Sequence, residues 1–244
     1  MVKLVLHEIR VIEIFKEILL KTYGDKAGEF VLKLEAIEEL ALSIDDICDG
    51  ESGIEVARRL VDSLLNLLKL DGEMLKIILK DGKRIFEENA KAHMIAEELK
   101  EARTLTSILA YLIKGYRARA ALAELYSKLS SIFGFAIDEF EIKNLVAAHF
   151  IIDDLRDLDK DLENGSPNFI ISLNDNKIVD SQVKRILLEM AFLHFLEEVN
   201  DRTMVSDLID TYRMYEENAF LRLEERRSEG HPSKSTTPIL LNRN

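Results

Sequence analysis

Apolar residues recur at intervals of three and four along most of this chain. Ile9, Ile12, Phe15 and Leu19 form one such series. Leu60, Leu64 and Leu67, with Leu68 beside it, form another. This spacing puts side chains on one face of an α-helix. Alternating β-branched runs bounded by turn residues are scarce, so the pattern predicts an all-α protein. Helices are expected over 3–22, 26–49, 53–69, 72–80, 83–114, 116–133, 138–163, 177–199 and 203–227. The breaks fall at Gly24, Gly50, Asp71-Gly72, Asp81-Gly82, Gly134 and Asn164-Gly165, residue types that stop or start helices. Pro167, Pro232 and Pro238 are the only prolines, and none interrupts the earlier helical pattern. The reading is one helical domain over 1–227. A mobile tail is expected over 228–244, where Gly, Pro, Ser and Thr accumulate. In a bundle of long helices, the space between facing helices is a natural ligand site.

Composition narrows the class. The chain has 244 residues, 47% of them hydrophobic, enough for one sizeable core. A net charge of −12 argues against nucleic acid or an anionic membrane as partner. An anionic substrate would then need a local inversion of charge, which metal ions supply. Cys48 is the only cysteine, so no disulfide forms within the chain and a reducing, cytoplasmic setting is expected. The opening Met1-Val2-Lys3-Leu4-Val5-Leu6-His7-Glu8 reaches charge too soon for a signal peptide. No uncharged apolar run approaches the roughly 20 residues of a membrane span.

The most informative chemistry lies in two aspartate clusters. Asp45-Asp46-Ile47-Cys48-Asp49 and Asp153-Asp154-Leu155-Arg156-Asp157 both read D-D-x-x-D, and Asp161 follows the second. Each follows an apolar, helical stretch. Positions i and i+4 share a helix face, so Asp45 joins Asp49, and Asp153, Asp157 and Asp161 form a column. Like charges at this spacing destabilise an isolated helix, and such local conflict marks a candidate site. Carboxylate oxygens suit Mg²⁺, with Mn²⁺ as the alternative, and the lone Cys48 within the first motif reads as a small buried residue. Metals bridging a diphosphate would neutralise charge as it leaves. Two acidic helix ends on a solvated surface would give the same short motif.

These residues resemble the metal motifs of class I isoprenoid synthases. Leu42 to Asp49 is similar to the first motif of squalene and phytoene synthases. Phe150-Ile151-Ile152-Asp153-Asp154-Leu155-Arg156-Asp157 is similar to the second motif of that group and of trans-prenyl diphosphate synthases. Gly165-Ser166-Pro167 resembles the G-K-P, and Arg103-Thr104 the K-T pair, of the prenyl diphosphate synthases. The resemblance implies an isoprenoid synthase-type bundle around a central apolar cavity, with the clusters at its mouth. It implies Asp45, Asp46, Asp49, Asp153, Asp154, Asp157 and Asp161 as metal ligands and a prenyl diphosphate as substrate. Three departures bear on the reaction. The second cluster is not the N-D-x-x-S-x-x-x-E of plant- and microbe-type terpene cyclases. No G-K-R precedes Asp45, and Arg58-Arg59 follows the first motif late and without the glycine of R-R-G. The expectation therefore leans to a terpene-cyclase-like or squalene/phytoene-like reaction over addition of isopentenyl diphosphate. A non-catalytic helical partner subunit is the third reading, and a homodimer stays open.

Further residues complete the candidate set. Lys100 and Arg103, before the apolar stretch Leu105 to Leu112, are diphosphate candidates, Arg103 with bidentate geometry. Arg156 and Lys160 alternate with the second cluster and either bind diphosphate or screen the acidic column. Tyr111, Tyr116, Phe133, Phe135 and Phe150 would suit a hydrocarbon cavity or ordinary core packing. His149 and His194 read as packed or hydrogen-bonded residues. Tyr212, Arg213 and Tyr215 lie where a late helix would cap the site.

Overall fold

The computed structural model describes residues 10–48 and 53–228. Within them the regular elements are eleven α-helices and one 3₁₀ turn, and there is no strand. α1 (Val11–Tyr23) leads through the turn Gly24–Ala27 into α2 (Gly28–Cys48). α3 (Ile54–Leu67), α4 (Gly72–Lys100), α5 (Leu105–Arg119) and α6 (Ala121–Ile132) follow. Then come α7 (Glu139–Arg156), α8 (Leu158–Asn164), α9 (Phe169–Asp175), α10 (Ser181–Leu196) and α11 (Arg202–Ser228). Asp49 and the expected tail beyond Ser228 lie outside the described residues. None of the described helices is long and apolar enough to cross a membrane.

Polar residues just before the helices account for many of their starts. Asp71, Asp138 and Asp180 each accept a hydrogen bond from a backbone N–H three residues on. Such a cap contributes about 1 kcal/mol. Thr104 and Ser107 form a reciprocal capping box that opens α5.

Several boundaries differ from the periodicity. α4 runs through Asp81-Gly82 without a break. An interior glycine costs only about 1 kcal/mol against alanine, and the packing of α4 against α5 and α6 outweighs it. The break comes instead at the Thr104 box, so α5 starts later than expected and runs on to Arg119. The helix expected over 138–163 divides at Asp157 into α7 and α8. α9 was not anticipated. Gly165 ends α8 with a left-handed φ of 72°, and Asn168 then caps the N–H groups of Ile170 and Ile171 to start a new helix.

Two ties fix the directions that matter for the site. The N–H of Ile12, at the start of α1, donates to Glu38 of α2 at 2.6 Å. At the other end of α1, the Tyr23 hydroxyl exchanges hydrogen bonds with the backbone of Ala136, just before α7. α1 therefore runs opposite to both α2 and α7. The C-terminal ends of α2 and α7 lie at the same end of the bundle.

Candidate functional site

On α7, adjacent aspartates turn to different surroundings. The Asp154 side chain is 3% exposed and that of Asp153 is 18% exposed. Asp154 Oδ2 accepts from the Tyr116 hydroxyl at 2.9 Å and from the Phe169 N–H at 2.8 Å. Its Oδ1 pairs with the Arg119 guanidinium. Phe169 is the first residue of α9, so Asp154 satisfies one of the donors that a helix start leaves open. Asn168 Nδ2 closes the junction on the Asp154 carbonyl at 2.9 Å. Burial opposes the Arg119 charge, but the Asp154 carboxylate more than compensates, and the guanidinium pKa rises. Arg119 also lies over the Phe150 ring, 4.5 Å from its centroid. Burial, followed by the Asp154 charge, lifts the Tyr116 hydroxyl well above its ordinary range.

Beneath Asp154 the core is filled. The Tyr116 and Phe169 rings pack 4.9 Å apart. Gly115 makes room for them, since a Cβ there would lie 2.2 Å from two Phe169 ring carbons. A cleft of about 550 Å³ lies elsewhere, between α10 and α11, among Gln182, Arg185, Glu189, Tyr212 and Glu216.

The remaining carboxylates form the expected column across the division at Asp157. The Asp157 N–H donates to the Asp153 carbonyl and the Asp161 N–H to the Asp157 carbonyl, each at 2.9 Å. Arg156 lies between the first two side chains. It donates through Nε and Nη2 to both Asp157 oxygens at 2.9 Å and pairs with Asp153. Asp161 Oδ2 accepts from Asn168 Nδ2 at 2.9 Å. Burial lifts the Asp153 carboxyl to about 6, against the pull of Arg156 and Arg119. Burial also lifts Asp161 to about 6, against its bond from Asn168. Such carboxyls exchange a proton for a cation, and their oxygens suit Mg²⁺. As folded, Arg156 supplies the positive charge. Among the described residues no three His, Cys, Asp or Glu side chains converge on a metal-holding geometry. A divalent ion on this column would have to displace Arg156.

The other candidates are distributed unevenly. Asp45 and Asp46 sit on the last turn of α2, at the same end of the bundle as the column. Lys100 and Arg103 are not brought there. They flank the start of α5, whereas Arg119 at its far end meets Asp154, about 24 Å away at 1.5 Å per residue. Lys100 pairs with Glu97 at 2.6 Å. Lys160 is exposed on α8. Three cations outside the sequence candidates also reach the aspartates of this segment. They are Arg119, and Arg222 and Arg226 of α11, which pair with Asp159 of α8. Arg119 follows Tyr116 by three residues, a spacing that aims both side chains at one partner. The partner itself is distant in sequence. His149 is half-buried, its Nδ1–H donates to the Leu145 carbonyl at 2.8 Å, and burial holds its pKa down to about 4. His194 meets Arg117 at 3.1 Å. Both are hydrogen-bonded within the chain.

No protein-family model, curated protein or solved structure matches this chain.

Proposed function

We propose that the chain is a class I isoprenoid synthase that ionises an allylic prenyl diphosphate with the help of Mg²⁺ and directs the cation into a new carbon–carbon bond. The observation that carries this reading is the placement of both aspartate-bearing helix ends, those of α2 and α7, at one end of the bundle. In it, Asp153, Asp157 and Asp161 bind metal from one side and Asp45, Asp46 and Asp49 from the other. Asp154 acts from behind, holding Arg119, Tyr116 and the start of α9. The reaction leans to the cyclase-like or squalene/phytoene-like form. Addition of isopentenyl diphosphate is the alternative within the same fold, and longer products that require isopentenyl diphosphate would reveal it.

The test is incubation with geranyl, farnesyl and geranylgeranyl diphosphates, with and without Mg²⁺ and isopentenyl diphosphate. Diphosphate release and product mass are then followed. Mg²⁺-dependent release that Asp45→Ala and Asp157→Ala abolish is expected. Metal binding should weaken as pH falls through about 6, where Asp153 and Asp161 take up protons. A non-catalytic helical subunit is the second reading. It is favoured by the closure of Arg156 over Asp153 and Asp157 and by the filled core beneath Asp154. Absence of turnover, together with no Mg²⁺-dependent thermal stabilisation by a diphosphate analogue, would select it.

A further inference from the structure

α3 carries two apolar stripes, and among the described residues only one of them is covered. Val56, Leu60, Ser63 and Leu67 face α2, where the Ser63 and Ser43 hydroxyls meet at 3.3 Å. The second stripe is Ile54, Ala57, Val61, Leu64 and Leu68, spaced three, four, three and four. Leu65 lies beside it. It faces solvent, with Ile54 81%, Val61 53%, Leu64 43%, Leu65 53% and Leu68 71% exposed, and Ala57 is exposed too. This is the heptad spacing of a helix seam that packs against another helix. These side chains present on the order of 500 Å² of apolar surface, at the upper end of what a monomer leaves open.

We propose that this stripe is the contact between two copies of the chain, with α3 packed antiparallel on its partner about a two-fold axis through Val61. A two-fold contact must match itself, and the sequence does. Rotation about Val61 sets Ile54 against Leu68 and the small Ala57 against the large Leu65, and it brings Leu64 level with the aliphatic stem of Arg58. Two copies would bury on the order of 1,000 Å² of apolar surface, and the polar rim brings the contact into the standard interface range. Charge agrees. The chain as a whole carries −12, and most faces of two copies would repel. The rim of this stripe holds both signs, with Glu55 and Asp62 beside Arg58 and Arg59. The Arg58–Asp62 pair within one copy is open to solvent, at 3.8 Å with side chains 72% and 63% exposed. The two-fold brings Arg58 of one copy within a turn of Asp62 of the other. The rim thus attracts where the remainder of the surface opposes contact.

The test is sedimentation equilibrium of the full chain across micromolar concentrations. A monomer–dimer equilibrium is expected. Val61→Glu, which sets two carboxylates against each other at the axis, should abolish the dimer and leave helical content and the Tm of the dilute monomer unchanged, because Val61 is 53% exposed in its own chain. Position-specific cross-linking in a Cys48→Ser background gives an independent readout. Val61→Cys should form a disulfide dimer on mild oxidation. Ile54→Cys should not, because its own copy lies about 21 Å along the seam at 1.5 Å per residue. A chain that stays monomeric throughout, a Val61→Glu variant that still dimerises, or equal cross-linking at both positions overturns the proposal. So does a monomer that co-sediments with anionic phospholipid vesicles through the same stripe.

Discussion

Glu38 and Asp154 are two buried carboxylates built on one plan in two parts of the bundle, each 2% exposed. Each accepts a tyrosine hydroxyl, from Tyr126 at 3.0 Å and from Tyr116 at 2.9 Å. Each also accepts an N–H at the start of a helix, from Ile12 of α1 and Phe169 of α9. They differ in one partner. Asp154 has Arg119 in direct contact. Arg10 acts on Glu38 through its charge but pairs with Glu39 instead. Burial lifts Glu38 to about 7, although Tyr126, the Ile12 N–H and Arg10 all pull the other way. Two hydrogen bonds do not offset the desolvation of a carboxylate, and a guanidinium in contact adds what they lack. One junction is completed by a counter-charge and the other by a proton.

Removing the counter-charge breaks the first junction most severely. Asp154→Ala leaves the half-buried Arg119 without its ion-pair partner and should cost about 3 kcal/mol, read from the denaturant midpoint at constant m. Asp154→Leu combined with Arg119→Met should cost much less than Asp154→Ala alone, because neither charge then remains. A double variant as unstable as the single one would show that the ion pair itself does not hold α9.

The second junction should show itself through pH. A carboxyl lifted from 4.5 to about 7 is more protonated in the folded state than in the unfolded state between those values. Its contribution to stability is complete below 4.5, falls as pH rises, and is gone above about 7. The loss amounts to about 3 kcal/mol across that window. Glu38→Gln mimics the neutral form and should flatten this dependence. Denaturation series at pH 5 and pH 8 check it, and an unchanged slope in the variant would mean that Glu38 is ionised throughout.

The Asp154 junction has a packing requirement that the Glu38 junction lacks. Gly115→Ala drives a methyl group to 2.2 Å from the Phe169 ring and must push α9, with its N–H, away from Asp154. A loss of about 1–3 kcal/mol is expected, with partial recovery when Phe169→Leu is added. Full stability in Gly115→Ala would show that the start of α9 moves freely.

This contrast also marks where the sequence was readable. The all-α class followed from apolar spacing, which local residues determine. The one-faced column of Asp153, Asp157 and Asp161 followed from helical periodicity and survives the division at Asp157. The inward turn of Asp154 did not follow, because it depends on Tyr116 and Arg119 of α5 and on a helix start at Phe169, all distant in sequence. Proximity to an apolar stretch makes Arg103 and Lys100 diphosphate candidates. The length of α5 carries them to its opposite end. Asp81-Gly82 looked like a stop, since a glycine's cost is visible in the sequence and the packing of α4 that outweighs it is not.

The smallest effect separates the two junctions by the charge on the acceptor. Tyr126→Phe removes one hydrogen bond to Glu38. At pH 5, Glu38 is neutral and the loss should be about 1 kcal/mol, as for a bond between uncharged groups. At pH 8, Glu38 is ionised and the same bond has a charged acceptor, so the loss should grow to about 2 kcal/mol. The two values are linked. The Tyr126 hydroxyl favours the ionised form, so removing it must raise the Glu38 midpoint above about 7. The stability profile of Tyr126→Phe should therefore keep falling at pH values where the parent has levelled off. Equal losses at pH 5 and pH 8 would place the Tyr126 bond on something other than Glu38, and the Leu34 carbonyl, 3.5 Å from the same hydroxyl, would be the acceptor to examine.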